Sequence, residues 1–293
     1  MLFDETTIRK LNSLSLVANK VRAGAMKGDR RSSKRGTSIE FADYRDYVPG
    51  DDLRRLDWNV YARLEKPFIK LFEEEEDLAV HVLVDGSKSM NWGEGEHNKF
   101  DYARKLAAAL GAIALSAGDR LTLSLLTPSG SGARYGPARG PHHNLHLFAF
   151  MEKQSTAGTT HLNQALASYA LTARRPGLTL ILSDLLDPNG YQQGLKQLQS
   201  RGHELAVLHI LSPDELDPPL TGDLRLVDTE FGYAQEVSLD RGLRNLYRQR
   251  LAAWRAEIQA FCHSRDIHYL PLNTATPWDK VVLYRMRREG MVK

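Results

Sequence analysis

The sequence predicts a doubly wound α/β fold of the Rossmann type with a mostly parallel sheet. From residue 78 onward, short β-rich runs are apolar at nearly every position, as in strands that are covered on both faces. These runs alternate with helical patterns, which indicates a parallel sheet with helices on both sides. The 293 residues suffice to bury a core of this kind.

The elements follow in a regular order along the carboxyl part of the chain. The predicted strands lie at 78–85, 120–127, 178–184, 204–211 and 268–272. The predicted helices lie at 99–118, 144–153, 161–173, 190–200 and 240–264. Residues 213–239 contain three prolines and predict a loop with a hairpin, and Pro277 marks the start of a last helix.

The amino-terminal part predicts an appendage to the sheet. Apolar residues at near-helical spacing over 5–23 indicate an amphipathic helix with Asp4 as its N-cap, packed against the main body. Residues 24–72 lose this periodicity, and the segment GAMKGDRRSSKRG predicts an exposed loop before an extended stretch. We therefore divide the chain into an appendage of residues 1–76 and an α/β domain of residues 77–293.

Composition excludes several classes of protein. The net charge is only +3, which argues against a broad nucleic-acid-binding face, although the basic cluster at 27–35 and the carboxyl-terminal arginines keep that function as a minor alternative. The basic cluster and the acidic run at 73–77 predict solvated turns or, alternatively, partner contacts. The single cysteine, Cys262, excludes an internal disulfide. Charges interrupt every apolar stretch of the amino terminus, and no run in the sequence approaches the roughly 18 consecutive apolar residues of a membrane span, which predicts a cytoplasmic protein without a signal peptide or membrane span.

Oxygen-bearing side chains follow the first strand of the α/β region. Asp85, Ser87 and Ser89 form an Asp-x-Ser-x-Ser pattern at its carboxyl end, the edge where open parallel sheets bind ligands. One carboxylate and two hydroxyls form an oxygen-only set that suits a hard cation such as Mg²⁺. The alternative is that Asp85 and Ser87 only cap the following helix.

Two later segments are expected to reach the same edge. Gly158 to Leu162 open a helix, and Leu182 to Leu185 end another apolar strand. This order resembles the von Willebrand factor A fold, whose metal-ion-dependent adhesion site combines Asp-x-Ser-x-Ser with a later Thr and a later Asp. The resemblance implies a centre for Mg²⁺ or Mn²⁺, with some ligands contacting the ion through water. Its five residues are Asp85, Ser87, Ser89, Thr160 and Asp184.

The upstream block resembles a more specific signature. Residues 35–63 read RGTSIEFADYRDYVPGDDLRRLDWNVYAR, which is similar to the bacterial family called domain of unknown function 58. Members carry this block directly before an A-type domain, and this chain resembles the short branch without membrane helices. The family is commonly encoded beside MoxR-type AAA+ ATPases. The resemblance therefore implies an adaptor or chaperone-like partner of such an ATPase, or of a client that supplies an Asp or Glu carboxylate.

The block itself permits two interpretations. Pro49 to Asp52 form a strong turn sequence, and arginines at 45, 54 and 63 could pair with aspartates at 46, 52 and 57, which favours a structural role. Its aromatic residues favour a docking surface instead, because aromatic and arginine side chains are enriched in interface cores. These aromatics are Tyr44, Tyr47, Trp58 and Tyr61.

Catalysis is the less favoured reading of the same residues. A haloacid-dehalogenase-type phosphatase needs a second Asp two residues after the first, where this chain has Ser87. Phosphate-loop, nucleophile-elbow and zinc-helix motifs are absent from the sequence. A metal-dependent phosphohydrolase is therefore kept only as the alternative to a binding module. His142, His143 and His146 predict a polar loop rather than a transition-metal site.

Overall fold

The computed structural model describes residues 2–18, 39–74, 78–127, 132–159, 161–218, 222–227, 234–239 and 241–293. The chain forms two compact units, one of Met1–Gly24 with Leu78–Lys293 and one of Ala25–Asp77. The first 24 residues thus group with the sheet unit, although the prediction assigned them to an appendage of residues 1–76. The basic cluster at 27–35 and residues 75–77 of the acidic run lie outside the described residues.

A six-stranded sheet is the centre of the larger unit. In spatial order its strands are β10 (His268–Asn273), β7 (Glu204–Leu211), β6 (Leu178–Ser183), β3 (Ala79–Asp85), β4 (Arg120–Leu126) and β5 (Arg134–Ala138). Five of these strands are mutually parallel, and β5 pairs antiparallel with β4 at the edge. The predicted mixed α/β architecture with a mostly parallel sheet is confirmed.

Strand order reverses between β3 and β6. The chain passes from β3 outward to β4 and β5, then crosses to β6 on the other side of β3 and continues to β7 and β10. The crevice outside the carboxyl ends of β3 and β6 is therefore the topological switch point, where open α/β sheets bind ligands. The short edge strand β5 was not predicted, because its sequence RYGPA lacks an apolar run and contains a glycine and a proline.

Helices cover both faces of this sheet. One face packs against Glu5–Asn12, Lys99–Ser116, Asn144–Glu152 and the carboxyl-terminal helical segment 278–288. The other face packs against Leu162–Thr172, Gln192–Ser200 and Arg241–His263. In β3, Val80, Val82 and Val84 join the first core and Leu83 joins the second, so both faces of the strand are buried. A four-residue helix, Pro213–Leu216, follows β7, and an antiparallel hairpin pairs β8 (Gly222–Val227) with β9 (Ala234–Leu239).

The first helix is shorter than its pattern predicts. Asp4 caps it as expected, by accepting a hydrogen bond from the backbone N–H of Thr7, but the helix ends at Asn12 rather than near residue 23. The chain then pairs in extended form with the carboxyl terminus, through a bridge between Leu16 and Val292. Leu14, Leu16 and Ala18 are buried at every second position, and this period-two spacing overlaps the helical spacing that the prediction used.

The smaller unit contains most of the signature block. Strands β1 (Ile39–Asp46) and β2 (Phe68–Glu74) pair antiparallel, with a helix at Trp58–Leu64 between them. Arg45 pairs with Asp51 at 2.8 Å instead of with the predicted aspartates, because Asp52 and Asp57 cap short helical segments. The turn at Pro49–Gly50, with Gly50 at a φ of 109°, is thereby closed.

No described helix of the chain has the length and apolar character that a membrane-spanning helix needs.

Candidate functional site

Asp85 is the last residue of β3 and is buried at the switch point. Its Oδ1 accepts a hydrogen bond from the backbone N–H of Ser87 at 3.0 Å, and its Oδ2 accepts one from the hydroxyl of Ser183 at 2.6 Å. The hydroxyls of Ser87 and Ser89 are 2.9 Å apart. A Cβ atom at Gly86 would lie 2.9 Å from the carbonyl oxygen of Leu126, so the turn between these side chains requires glycine. The Asp-x-Ser-x-Ser residues therefore form one compact group.

Asp184 follows β6 at the same edge and is also buried. Its Oδ1 accepts a hydrogen bond from the backbone N–H of Leu186 at 3.1 Å. Nε2 of His209 lies 3.0 Å from the carbonyl oxygen of Asp184, so this nitrogen carries the proton and donates to it. Leu185 has a φ of 57°, a left-handed backbone conformation that residues other than glycine rarely adopt. Its side chain is buried. The loop after β6 is thus attached to β7 through His209 and to the core through Leu185.

A third segment joins this edge through its backbone. The N–H of Lys88 donates to the carbonyl oxygen of Gly158 at 3.0 Å, and the N–H of Ala157 donates to that of Gly86 at 2.9 Å. The loop that precedes the helix Leu162–Thr172 is therefore attached to the Asp-x-Ser-x-Ser turn. Thr160, the fourth predicted ligand, lies outside the described residues.

The capping alternative does not account for Asp85 and Ser87. The helix Lys99–Ser116 is capped by Asn98, whose side chain accepts a hydrogen bond from the backbone N–H of Asp101. Ser87 precedes a single 3₁₀ turn, Lys88–Met90, without a capping hydrogen bond from its side chain. Asp85 instead accepts a hydrogen bond from the hydroxyl of Ser183 at the end of β6, and the hydroxyl of Ser87 contacts that of Ser89.

Two charged residues that the sequence reasoning missed complete the site. Lys99 is the first residue of the helix Lys99–Ser116, its side chain is fully buried, and its Nζ lies 2.6 Å from Oδ2 of Asp184. The same ammonium lies 2.6 Å from Oε1 of Glu215, in the four-residue helix after β7. Lys99 lies ten residues after Ser89, whereas Glu215 is more than a hundred residues from the Asp-x-Ser-x-Ser motif in sequence. The signal for Lys99 was a lysine on the inner face of a helix that is otherwise apolar there.

The electrostatics of the site follow from burial and from the nearness of like charges. Burial and the charge of Asp184 raise the pKa of Asp85 to about 6. Burial lowers the pKa of Lys99, but the carboxylates of Asp184 and Glu215 outweigh this effect and raise it above its ordinary value. Lys99 is therefore a permanent cation, whereas the carboxylate of Asp85 lacks a cationic partner among the described residues that contact it.

The donor set suits a hard cation better than a transition metal. It consists of carboxylate and hydroxyl oxygens, which Mg²⁺ and Mn²⁺ prefer, and His209 uses both ring nitrogens in other hydrogen bonds. Within the described parts of the chain, no group of three or more His, Cys, Asp or Glu side chains is placed to hold a metal. An ion here would therefore depend on two carboxylates supplemented by hydroxyl oxygens.

Comparison with known proteins identifies relatives along most of the chain. The sequence model of the family described as "Protein of unknown function DUF58" matches residues 43–257. Uncharacterised proteins of Mycobacterium tuberculosis and Mycobacterium bovis are each 31% identical over 286 residues, which cover 96% of this chain and 89% of theirs. An uncharacterised protein of Mycobacterium avium is 30% identical over 160 residues, covering 53% of this chain and 94% of its own.

Solved structures with lower similarity were also found. BatB from Bacteroides thetaiotaomicron aligns with a TM-score of 0.45 at 13% identity, covering 73% of this chain and 98% of BatB. An aerotolerance-related membrane protein from Bacteroides fragilis aligns with a TM-score of 0.45 at 14% identity, covering 72% of this chain and 99% of that protein.

Proposed function

This chain belongs to the DUF58 family, and from that membership and the site geometry we propose that it is a metal-dependent protein-interaction module. Its sheet unit is a von Willebrand factor A-like domain, and the ion is Mg²⁺ or Mn²⁺. The observation that carries the proposal is the convergence of carboxylates and hydroxyls from the ends of β3 and β6 at the switch point. The five ligands are Asp85, Ser87, Ser89, Thr160 and Asp184.

The residues around the two carboxylates support this role. Each carboxylate oxygen of Asp85 and Asp184 accepts a hydrogen bond from a neighbouring group, and a carboxylate oxygen has lone pairs for more than one partner. Ser183 orients Asp85, and His209 holds the backbone of Asp184. Such outer contacts are the ones that fix ligand orientation in metal sites. The chain therefore prepares its ligands before any ion binds.

The partner is proposed from the chemistry of the site. A divalent ion held by few charged ligands supplies a position that an Asp or Glu carboxylate of another protein can complete. An open groove of about 590 Å³ lies beside the edge, between residues 91–97 and Pro213–Asp214, and Trp92 in it is 46% exposed. Exposed tryptophan is typical of interface cores. We propose a MoxR-type ATPase, or a client of that ATPase, as the partner.

We propose no catalytic step for this site. A phosphohydrolase of the haloacid-dehalogenase type needs a second acidic residue at the position of Ser87. In addition, Lys99 is not free to bind a phosphate, because the carboxylates of Asp184 and Glu215 already contact its ammonium. The purified protein is expected not to hydrolyse generic phosphate esters. Turnover that persists through repurification and disappears in Asp85→Asn would establish the phosphohydrolase instead.

The test of the proposal is metal binding and partner retention in Asp85→Ala. Calorimetry with Mn²⁺ is expected to give at least a roughly 100-fold loss of affinity, because loss of an outer-shell contact alone typically costs 10–100-fold. Co-purification of the ATPase or its client should fall both in this variant and in EDTA, while the circular dichroism spectrum is unchanged. Glu289→Gln, which removes an exposed carboxylate outside the groove and outside the ligand set, is the matched control and should behave as wild type.

Two results would contradict the proposal. Equal Mn²⁺ affinity in wild type and Asp85→Ala would remove the assigned site. Full retention of every partner in EDTA and in Asp85→Ala would make the ion structural and end the adhesion-type interpretation.

A further inference from the structure

The ammonium of Lys99 is the most thoroughly buried charge at the candidate site. The side chain of Lys99 is 0% exposed, whereas charged side chains are rarely buried completely without a partner. Two carboxylates share it, with Nζ at 2.6 Å from Asp184 and at 2.6 Å from Glu215. Buried ion pairs of this kind are weak contributors to stability, since desolvation of both charges offsets their attraction. A role other than stability would explain why the chain holds a lysine there.

The two carboxylates are held in the same way on either side of the ammonium. Asp184 accepts a backbone N–H from Leu186 through one oxygen and the ammonium through the other. Glu215 accepts the backbone N–H of Ser212 through Oε2, in a capping box, and the ammonium through Oε1. The ammonium of Lys99 therefore holds the carboxylate of Asp184 in position and links it to the carboxylate of Glu215, which lies in the short helix after β7.

Asp85 and the ion-paired group of Lys99, Asp184 and Glu215 together carry the charge that one divalent ion would balance. Asp85, Asp184 and Glu215 contribute three negative charges when ionised, and Lys99 contributes one positive charge, so the group has a net charge of −2. Without Lys99 the group would carry −3, and without Glu215 it would carry −1. In a buried site, one unit of charge changes cation affinity strongly because little water screens it.

We propose that Lys99 is a positioning residue that, together with Glu215, sets the charge of this site to match a divalent cation. The inference rests on the proposed function, since it names how the chain regulates its own metal affinity. Lys99 limits the affinity for the ion, and Glu215 raises it. A purely structural ion pair makes the opposite prediction for Lys99, because breaking such a pair would disturb Asp184 and weaken binding.

The experiment is a charge-matched set of variants titrated with Mn²⁺ by calorimetry at pH 8. Lys99→Met is expected to bind Mn²⁺ at least roughly tenfold more tightly than wild type, and Glu215→Gln at least roughly tenfold more weakly. The double variant Lys99→Met with Glu215→Gln restores the charge of −2 and is expected to return to within about threefold of wild type.

Lys105→Met is the matched control for loss of a positive charge. Lys105 lies on the same helix, half-exposed and six residues beyond Lys99, and its removal should leave Mn²⁺ affinity unchanged. If Lys99→Met does not fold, Glu215→Gln carries the test alone, since weaker binding supports the proposal and unchanged binding overturns it.

The outcomes separate this inference from the function on which it rests. Weaker Mn²⁺ binding in Lys99→Met, in a protein whose binding still depends on Asp85, would overturn the charge-setting role and leave the metal site standing. Absence of Asp85-dependent Mn²⁺ binding in wild type would end the proposed function itself.

Discussion

Two polar clusters lie at opposite ends of the strands of the same sheet. Their polar groups are shielded from water, but one cluster is uncharged and the other is charged. Toward the amino ends of the strands, His81 lies between Tyr169 and His203 in a neutral cluster. At the carboxyl ends, Asp184 and Glu215 share the ammonium of Lys99 in a charged cluster. We refer to them as the neutral cluster and the charged cluster.

The neutral cluster satisfies its groups with hydrogen bonds alone. Nε2 of His81 donates to the carbonyl oxygen of Arg175 at 3.1 Å, so Nδ1 accepts from the hydroxyl of Tyr169 at 2.7 Å. Burial, with the neighbouring charge of His203, lowers the pKa of His81 to about 3. Burial likewise lowers the pKa of His203 to about 4. Both rings therefore stay uncharged at neutral pH, and no ion is required to balance them.

The charged cluster keeps its charges, and this difference indicates where function resides. Burying an ion pair in place of apolar side chains gives little or no stability. A fold under selection for stability alone could use neutral groups at both ends of the sheet, as it does around His81. The sheet instead keeps three carboxylates and one ammonium at its switch point, which is the edge that binds ligands in open α/β folds.

The largest expected effect comes from breaking the charged cluster in the absence of metal. Lys99→Met leaves the buried carboxylate of Asp184 and the half-buried carboxylate of Glu215 without their cation, and removal of one partner of a buried pair typically costs about 3–5 kcal/mol. Urea unfolding in EDTA measures the change in the free energy of unfolding. Lys105→Met is expected to lie within about 0.5 kcal/mol of wild type. A loss below about 1 kcal/mol in Lys99→Met would place the lysine in water rather than in a buried pair.

The neutral cluster predicts how the free energy of unfolding falls as the solution becomes acidic. The unfolded chain binds a proton at each histidine below pH 6.5, whereas His81 in the fold does so only near pH 3. The stabilising contribution is therefore complete above pH 6.5 and is lost as the pH falls toward 3. Between pH 6.5, where the unfolded histidine is half protonated, and pH 4.5, His81 alone should account for about 2 kcal/mol of lost stability, with a slope that approaches about 1.4 kcal/mol per pH unit.

The slope of stability against pH checks this assignment. His81→Asn should give a shallower slope than wild type over that interval, whatever its stability at pH 7. His268→Asn, which replaces an exposed histidine at the start of β10, should keep the wild-type slope. An unchanged slope in His81→Asn would mean that another group controls acid unfolding.

The sequence predicted the sheet and part of the site for physical reasons that the structure makes clear. Continuous apolar runs are sufficient to identify buried parallel strands, and the strand predicted at 204–211 has the same bounds in the structure. Asp85 and Asp184 could be predicted because each directly follows such a run. Lys99 and Glu215 could not, since their meeting depends on how the helix after β3 and the loop after β7 are placed in space.

Local sequence patterns were less informative where apolar residues fit both the helical and the strand spacing, and where one side chain has several possible ion-pair partners. Leu14 and Leu16 fitted a helix by spacing but belong to an extended segment. Three aspartates were plausible partners for Arg45, which pairs with Asp51 instead. Two of the three, Asp52 and Asp57, cap the short helical segments that they precede. Where several acidic residues lie close to one arginine in sequence, the geometry of the turn decides which of them forms the ion pair. The residue types alone do not reveal that geometry.

The smallest expected effect concerns a hydrogen bond that occurs in both clusters, from a tyrosine hydroxyl to Nδ1 of a buried histidine. His209 repeats the arrangement of His81, with Nδ1 accepting from the hydroxyl of Tyr269 at 2.8 Å, but its Nε2 donates to the carbonyl oxygen of Asp184. Tyr169→Phe and Tyr269→Phe each remove the donor to a buried imidazole, so each should cost about 1–2 kcal/mol in the free energy of unfolding.

Only one of these two variants should change metal binding. Tyr269→Phe loosens His209 and, through it, the backbone of Asp184, whereas Tyr169→Phe acts at the opposite ends of the strands. Calorimetry with Mn²⁺ is therefore expected to give a several-fold loss of affinity in Tyr269→Phe and wild-type affinity in Tyr169→Phe, since outer contacts that orient a ligand typically change affinity by tenfold or more when lost outright. Equal affinities in the two variants would mean that His209 supports the fold alone, and that the order at the carboxyl edge is maintained by Lys99 and the backbone of Leu186 without it.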